Sequence, residues 1–334
     1  MGNGRTRGGT LKIPGTMQAA AIDRFGPPEV LSLHTVPVPE PGPRDLLIAL
    51  HAAGVGVWDA RMRDGSWWPT PDPKFPIILG TDGAGTVAAK GARVRRFKVG
   101  DRVWAYEYAD PKGGFYAEYA VVDADHVGSA PERLTLLQAG ASAATGLTAL
   151  QGIDDQLKIR RGETVLIFGA SGAVGTLAVQ FAKRRAARVI ATASGLEAAR
   201  LVRRLGADAV IDARKDDAID ALQEIAPEGL DAVLALAGGP TLERFLELIR
   251  TGGRIAYPNG IEPEPRRRSG ISFTAYDAQA SPRQFANLNR AVTEAKLRVP
   301  IASVYPLAQA AEAHRQVEKG HVLGRIALRI RRDR

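Results

Sequence analysis

The chain has 334 residues, 45% of them hydrophobic and 24% charged, with a net charge of +9 and no cysteine. That length exceeds what a single hydrophobic core usually serves, so two domains are expected. The missing thiols exclude disulfides, iron–sulfur clusters, cysteine nucleophiles and Cys-based zinc sites, and no apolar run is long enough for a membrane-spanning helix.

The first 16 residues, "MGNGRTRGGTLKIPGT", carry no acid and no apolar signal core, and read as a flexible arm, a weak organelle presequence being the alternative. From Met17 to about residue 138, short strand-like runs are broken by Gly and Pro: "MQAAAI", "LLIALHAAGV", "GAGTVAA", "DRVWAYEY" and "FYAEYAVVD". Such spacing predicts a barrel-like β domain. At 139 the pattern changes. "LQAGASAATGLTALQGI" reads as one helix, and strand and helix then alternate from "TVLIFGA" through "LDAVLALAGG" to "GRIAYPNG". At least four βα units and a fifth strand predict a parallel sheet covered by helices on both faces. "ISFTAY" (271–276) is a further strand candidate. After two helical segments, "GRIALRI" (324–330) reads as a strand that returns to the first domain. The fold class is therefore α/β, a doubly wound parallel sheet joined to a β domain. The surplus positive charge, partly in "RRRS" and "RIRRDR", reads as solvated surface.

The most informative stretch is "TVLIFGASGAVGTLAVQFAK" (164–183), where an apolar strand runs into a loop nearly free of side chains and then into a helix. The first turn of a helix offers unpaired N–H groups and the positive end of its dipole. A phosphate can reach them only if side chains do not intervene. Ala170, Gly172 and Gly175 stand at the three small-residue places of the dinucleotide fingerprint: Gly172 for close approach of a diphosphate, Gly175 for helix–strand packing. The second strand ends "ATASG" (191–195) with no acid to bind a ribose 2′-hydroxyl. Glu197, three residues after Ser194, fits a capping box. Arg200 is placed to meet a 2′-phosphate, which points to NADP, unless it merely pairs with Glu197 at i,i+3.

On "GTDGAGTV" (80–87), "KVGDRVWA" (98–105), "GGFYAEYAVV" (113–122), "AATGLTAL" (143–150), "VLIFGASGAVG" and the closing "PLAQAAEAHRQVEKGHVLGRIAL", the chain resembles the medium-chain dehydrogenase/reductases, in their zinc-free quinone oxidoreductase branch. The resemblance covers nearly all of 17–330. It implies a GroES-like barrel at 17–138, to which 298–334 returns, and a Rossmann domain at 139–297. It also implies that Ser171, Gly172, Ala173 and Val174 lie along the cofactor diphosphate and that Thr145 sits near the nicotinamide. Ser194 and Arg200 would face the 2′-phosphate, while Gly238 and the loop Tyr257, Asn259 and Gly260 would approach the nicotinamide half. A homodimer through the 271–276 edge is implied as well, and a cytoplasmic enzyme with no membrane or nucleic-acid partner is expected.

Zinc-dependent relatives show Gly-His-Glu where this chain has Gly80-Thr81-Asp82, and His34, His51, His126, His314 and His321 lack metal spacing, so no metal is expected. The resemblance then implies hydride transfer to a quinone or an activated C=C bond. An enoyl-thioester or 2-alkenal reductase, and a non-catalytic NADPH- or RNA-binding protein, are the alternatives. The segment "GVGVWDARMRDG" (54–65) departs from the family's Asn-Pro-x-Asp pattern and its nearby Tyr: Gly56, Val57 and Arg61 replace the Asn, Pro and Tyr, and Asp59 is kept. Trp58, Asp59 and Arg61 are the pocket candidates, Arg61 either binding a substrate oxygen or pairing with Asp59 or Asp64. Tyr108 and Lys112 match a Tyr-x-x-x-Lys pair, but Pro111 opposes the helix that pair needs.

Overall fold

A computed structural model describes residues 13–68, 72–107 and 114–331. Tyr108 and Lys112, like most of the N-terminal arm, lie outside the described residues. The first half runs Thr16–Ile22 (β1), Leu31–Pro37 (β2), Asp45–Val55 (β3), Val57–Asp64 (α1), Ile77–Ile78 (β4), Asp82–Lys90 (β5), Arg102–Tyr106 (β6), Tyr119–Asp123 (β7) and Val127–Ser129 (β8). The chain continues with Leu136–Gly140 (α2), Ala143–Gln151 (α3), Thr164–Phe168 (β9), Ala173–Arg184 (α4), Arg188–Thr192 (β10), Leu196–Arg204 (α5), Ala209–Ile211 (β11), Ala218–Ile225 (α6) and Leu230–Ala235 (β12). Pro240–Leu246 (α7), Ile249–Pro258 (β13), Ser272–Tyr276 (β14), Pro282–Glu294 (α8), Ile301–Pro306 (β15), Ala310–Lys319 (α9) and Arg325–Arg329 (β16) complete it.

Strands β9 to β14 form one parallel sheet in the order β11-β10-β9-β12-β13-β14. This is the doubly wound order, with its switch point between β9 and β12. The apolar run of β9 explains the two-sided cover. Val165 and Ile167 join the core shared with α3, α4, α5 and α8, whereas Leu166 and Phe168 join the core beneath α6 and α7. Burying both faces demands apolar residues at every position, not at alternate ones.

The remaining strands form the other, β-rich half. β15-β16-β3-β5-β6-β8 make a seven-stranded sheet together with β7, which pairs with β3, and β2-β1-β4 form a small sheet beside it. β16 lies antiparallel to β3, Leu328 opposite Ala53. β15 was not read in the sequence as a strand. Ile301, Ser303 and Tyr305 are half-buried while Ala302, Val304 and Pro306 are exposed, so no polar–apolar alternation marks the strand.

The helix expected over "LQAGASAATGLTALQGI" is two helices. Thr135 and Gln138 form a capping box that starts α2, and Gly140 presses so closely on β3 that a Cβ would lie 2.9 Å from the Ala52 carbonyl carbon. At Ser142 the backbone leaves helical geometry, with φ −137°. α3 then starts afresh, its Ala144 N–H donating to the Asp82 carboxylate of β5 (3.0 Å). A carboxylate from another element caps the second helix, a contact no local pattern announces. Among the described residues no helix is long and apolar enough to cross a membrane.

Candidate functional site

The site is built at the carboxyl end of β9, next to the switch point. Gly169 leaves the strand at φ +87°, a left-handed conformation that glycine adopts without steric cost. Its N–H donates to Thr192 Oγ1 of β10 (2.8 Å), and the Ala170 N–H donates to the Thr192 carbonyl (3.1 Å). Ala170 is fully buried and packs behind the turn. Gly172 is the N-cap of α4 and offers no side-chain cap. A Cβ there would meet nothing closer than the Gly169 oxygen at 3.5 Å. The first-turn amides of α4, from Ala173 to Gly175, have no acceptor inside the helix, and Ser171 to Val174 are only half-buried. Gly175 is the opposite case: a Cβ would sit 2.6 Å from the Ala170 Cα and run into the Gly169 carbonyl. The loop is thus open where an anion would lie and closed where the helix meets the strand. The Ser171 carbonyl also accepts the Gly324 N–H (3.0 Å), which ties the loop to the segment entering β16.

Thr145, on α3, is 9% exposed, and its Oγ1 is buried with no hydrogen-bond partner. An orphaned hydroxyl of this kind fits a missing polar ligand. Beyond β12, Gly238 packs against the Glu262–Pro263 backbone. Tyr257 is buried within β13, while Asn259 donates to Asp277 (2.7 Å) and its own N–H to the Tyr276 carbonyl. Gly260, at φ +82°, faces the other half of the molecule. A Cβ on it would lie 2.8 Å from the Trp58 ring and 2.9 Å from an Arg61 Nη. Trp58 stacks edge-on to Trp67, and the Arg61 guanidinium sits over the Trp58 ring at 5.3 Å. Arg61 pairs with Glu262 at 3.8 Å, not with Asp59 or Asp64. The pairing expected within α1 is replaced by one that spans the cleft, because the loop after β13 brings a carboxylate to the outer face of the helix.

Below α1 lies a buried charged cluster that sequence reading did not assemble. Asp59 is 2% exposed and accepts the Gly56 N–H (2.8 Å), which fixes the start of the helix. Burial, helped by the neighbouring Asp82 carboxylate, pushes Asp59 up to about 7. Asp82 is itself raised by burial, against the opposing pull of Arg325 at 3.4 Å. Arg325 also donates from Nε to the Ala141 carbonyl. The absence of a side chain at Gly54 makes room for this pair, since a Cβ there would strike both groups.

At the β10 tip the structure corrects one expectation. Ser194 and Glu197 do not form a capping box. The N-cap of α5 is Gly195 at φ +84°, a conformation costly for any other residue, and Glu197 pairs with Arg200 at 2.9 Å on the exposed helix face. Ser194 instead hydrogen-bonds Asp212, at the end of β11. Burial opposes ionisation of Asp212, but the Arg214 backbone and side chain, Ser194 and the Gly195 N–H outweigh it and hold the carboxyl at about 2. Arg214 touches Asp212 through Nε (3.4 Å) and is largely exposed. Its signal in the sequence is the acid–base run "DARKDD" after the third strand, one strand beyond the place where the fingerprint puts the ribose contact.

Residues 42–132 match the alcohol dehydrogenase GroES-like domain family and 205–328 the zinc-binding dehydrogenase family. Among curated proteins, the quinone oxidoreductase of Mus musculus is 32% identical over 318 residues, covering 91% of this chain and 95% of its own length. The chain belongs to the medium-chain dehydrogenase/reductase superfamily. Two solved members superpose on it. An NAD-dependent alcohol dehydrogenase is 31% identical (TM-score 0.87, covering 94% of this chain and all of its own). The Escherichia coli quinone oxidoreductase complexed with NADPH is 26% identical (TM-score 0.83, with the same coverage). The superfamily's two-part architecture, a GroES-like half and a parallel Rossmann sheet, is the one found here, and the protein is an oxidoreductase.

Proposed function

We propose that the protein uses NADPH, without a metal, to reduce a quinone or an α,β-unsaturated carbonyl. The observation that carries this reading is the pairing of an open helix mouth at Gly172 with a β10 tip that has arginines beside it and no acid of its own. In this reading the amides from Ser171 to Val174 hold the diphosphate, with Ala170 and Gly175 supporting the turn. Ser194, Arg200 and Arg214 surround the 2′-phosphate. The Arg200–Glu197 pair is exposed at i,i+3, worth only about 0.2–0.5 kcal/mol, so a phosphate displaces it readily. Thr145 Oγ1 takes up its missing hydrogen bond at the nicotinamide end, where Gly238, Tyr257, Asn259 and Gly260 form the wall.

A bound reduced nicotinamide supplies the hydride. The chain's own residues shape what receives it. Trp58 and Trp67 give an apolar wall for a planar acceptor, and Arg61 is placed to stabilise negative charge that develops on a carbonyl oxygen. Gly56 brings no side chain to the reacting centre. The absence of cysteine, with Thr81 where zinc relatives carry His, supports metal-free chemistry. The same reading takes 17–138 with 298–334 as the catalytic domain and 139–297 as the cofactor domain, supported by the β16–β3 pairing. It takes the β14 edge of the sheet as the contact of a homodimer.

The test is an oxidation panel with 1,4-benzoquinone, 9,10-phenanthrenequinone, a 2-alkenal and crotonyl-CoA, each with NADPH and with NADH. Turnover of a quinone or alkenal with NADPH at least about tenfold above NADH is expected, one charge-assisted hydrogen bond being worth roughly that factor. NADH preference, or stoichiometric zinc in tag-free protein, overturns the reading.

A further inference from the structure

A second cavity, of about 510 Å³, lies where the chain passes between its two halves. It is bounded by the 133–138 segment that leads into α2, by the 297–300 segment between α8 and β15, and by the carboxyl-terminal end of α5. Its volume is within the range of small-ligand sites, roughly 300–1,000 Å³. α5 spans nine residues, so its length of about 13 Å, at 1.5 Å per residue, separates this cavity from the β10 tip.

The lining has two parts. Leu134, Leu205, Leu297 and Val299, all nearly buried and part of one apolar core, make the floor. Arg133, Arg204 and Arg298 stand exposed around the rim, and no acidic residue lines the cavity. Arg133 reaches the Lys296 carbonyl at a long 3.4 Å. The Arg204 and Arg298 guanidinium groups have no hydrogen-bond or ion-pair partner among the described residues. Most other arginines near acids in this chain are paired, as Arg184, Arg254 and Arg315 are. The α5 carbonyl end contributes about half a negative charge, which leaves most of three positive charges uncompensated. Guanidinium forks match carboxylate and phosphate oxygens.

We propose that this cavity binds an amphipathic anion, its carboxylate or phosphate head held by Arg133, Arg204 and Arg298 and its apolar body laid on the leucine–valine floor. The site is separate from the hydride-transfer cleft and bridges both passages of the chain between the two halves. The anion is therefore a ligand of its own, not a part of the cofactor or of the acceptor.

Isothermal titration of the full chain with decanoate, decyl phosphate and inorganic phosphate, below micellar concentrations, tests this. Saturable one-to-one binding of at least one decyl probe is expected, unchanged by saturating NADPH. Inorganic phosphate, which cannot use the floor, should bind at least about tenfold more weakly. Comparing the two decyl probes identifies the preferred head group. The double variant Arg204→Gln/Arg298→Gln should weaken binding at least about tenfold; both side chains are exposed, so its circular dichroism should match the parent. Leu201→Glu, which places an acid on the rim, is a second variant with the same expected loss. Absence of saturable binding, equal affinity in the variants, or displacement of the probe by NADPH overturns the proposal. None of these readings depends on turnover, so a failed oxidation panel and a failed titration are distinguishable.

Discussion

Arg200 and Arg214 illustrate how two residues of one type differ by what already holds them. Arg200 is bound to Glu197 through a terminal nitrogen, whereas Arg214 uses Nε on Asp212 and keeps its terminal nitrogens for an incoming group. Arg214→Ala is expected to raise KM for NADPH about tenfold with little change for NADH. Arg200→Ala should have a smaller effect, because Arg200 must first give up its exposed ion pair with Glu197 to meet the phosphate. Steady-state kinetics with both nucleotides, and binding of adenosine 2′-phosphate to each variant, check the order. Arg200 was visible in the sequence as a candidate by its distance from the glycine loop. That Arg214 stands beside the same strand tip follows from β11 lying next to β10, a pairing between segments about 20 residues apart.

At the scale of elements, the β9–α4 unit was legible because its strand, turn and helix are contiguous and each obeys a local rule. Its two later glycines make a paired prediction. Gly175→Ala forces a Cβ against immovable backbone and should destabilise the fold by about 1–3 kcal/mol, the usual cost of overpacking. Gly172→Ala adds a methyl to open space, so the melting temperature should hardly move while NADPH affinity falls. Thermal denaturation and nucleotide titration of the two variants separate these effects. The α2–α3 break was not legible. Helix propensity favours Ala, Leu and Gln throughout that stretch, and what interrupts it is the close approach of β3 and the capping carboxylate of Asp82. β15 is not legible for a related reason: its apolar residues Ala302 and Val304 are the exposed ones, so pattern and burial disagree, and its pairing with β16 is what makes it a strand.

Across the whole molecule, buried ionisable groups tie stability to pH. Asp59 titrates near 7 in the fold against an ordinary 3.8, so the folded state holds its proton more tightly. Its contribution is full below pH 3.8 and is lost as pH rises through 7. His314 lies between Arg63 and the Tyr116 hydroxyl. Burial, reinforced by the Arg63 charge, lowers it from 6.5 to about 3. The unfolded chain therefore takes up that proton first, and stability falls as pH drops below 6.5. The two slopes oppose each other between pH 3.8 and 6.5, and only the Asp59 slope remains above. Asp59→Asn, which keeps an acceptor for the Gly56 N–H, should gain several degrees in melting temperature over the parent at pH 8 and much less at pH 5. Melting curves across pH 4–9 measure it. NADPH at a hundred times its Kd should stabilise the whole molecule by about 2.7 kcal/mol.

The sequence by itself determined the two-part α/β architecture, the glycine mouth and the superfamily, since each rests on contiguous residues whose spacing obeys backbone geometry. Tertiary structure alone decided which charges meet: Arg61 with Glu262, Arg325 with Asp82, Asp212 with Ser194, and three arginines around one cavity. Charge pairing depends on distances between segments far apart in the chain. Those distances are set by how sheets and helices pack, and local pattern carries no record of them.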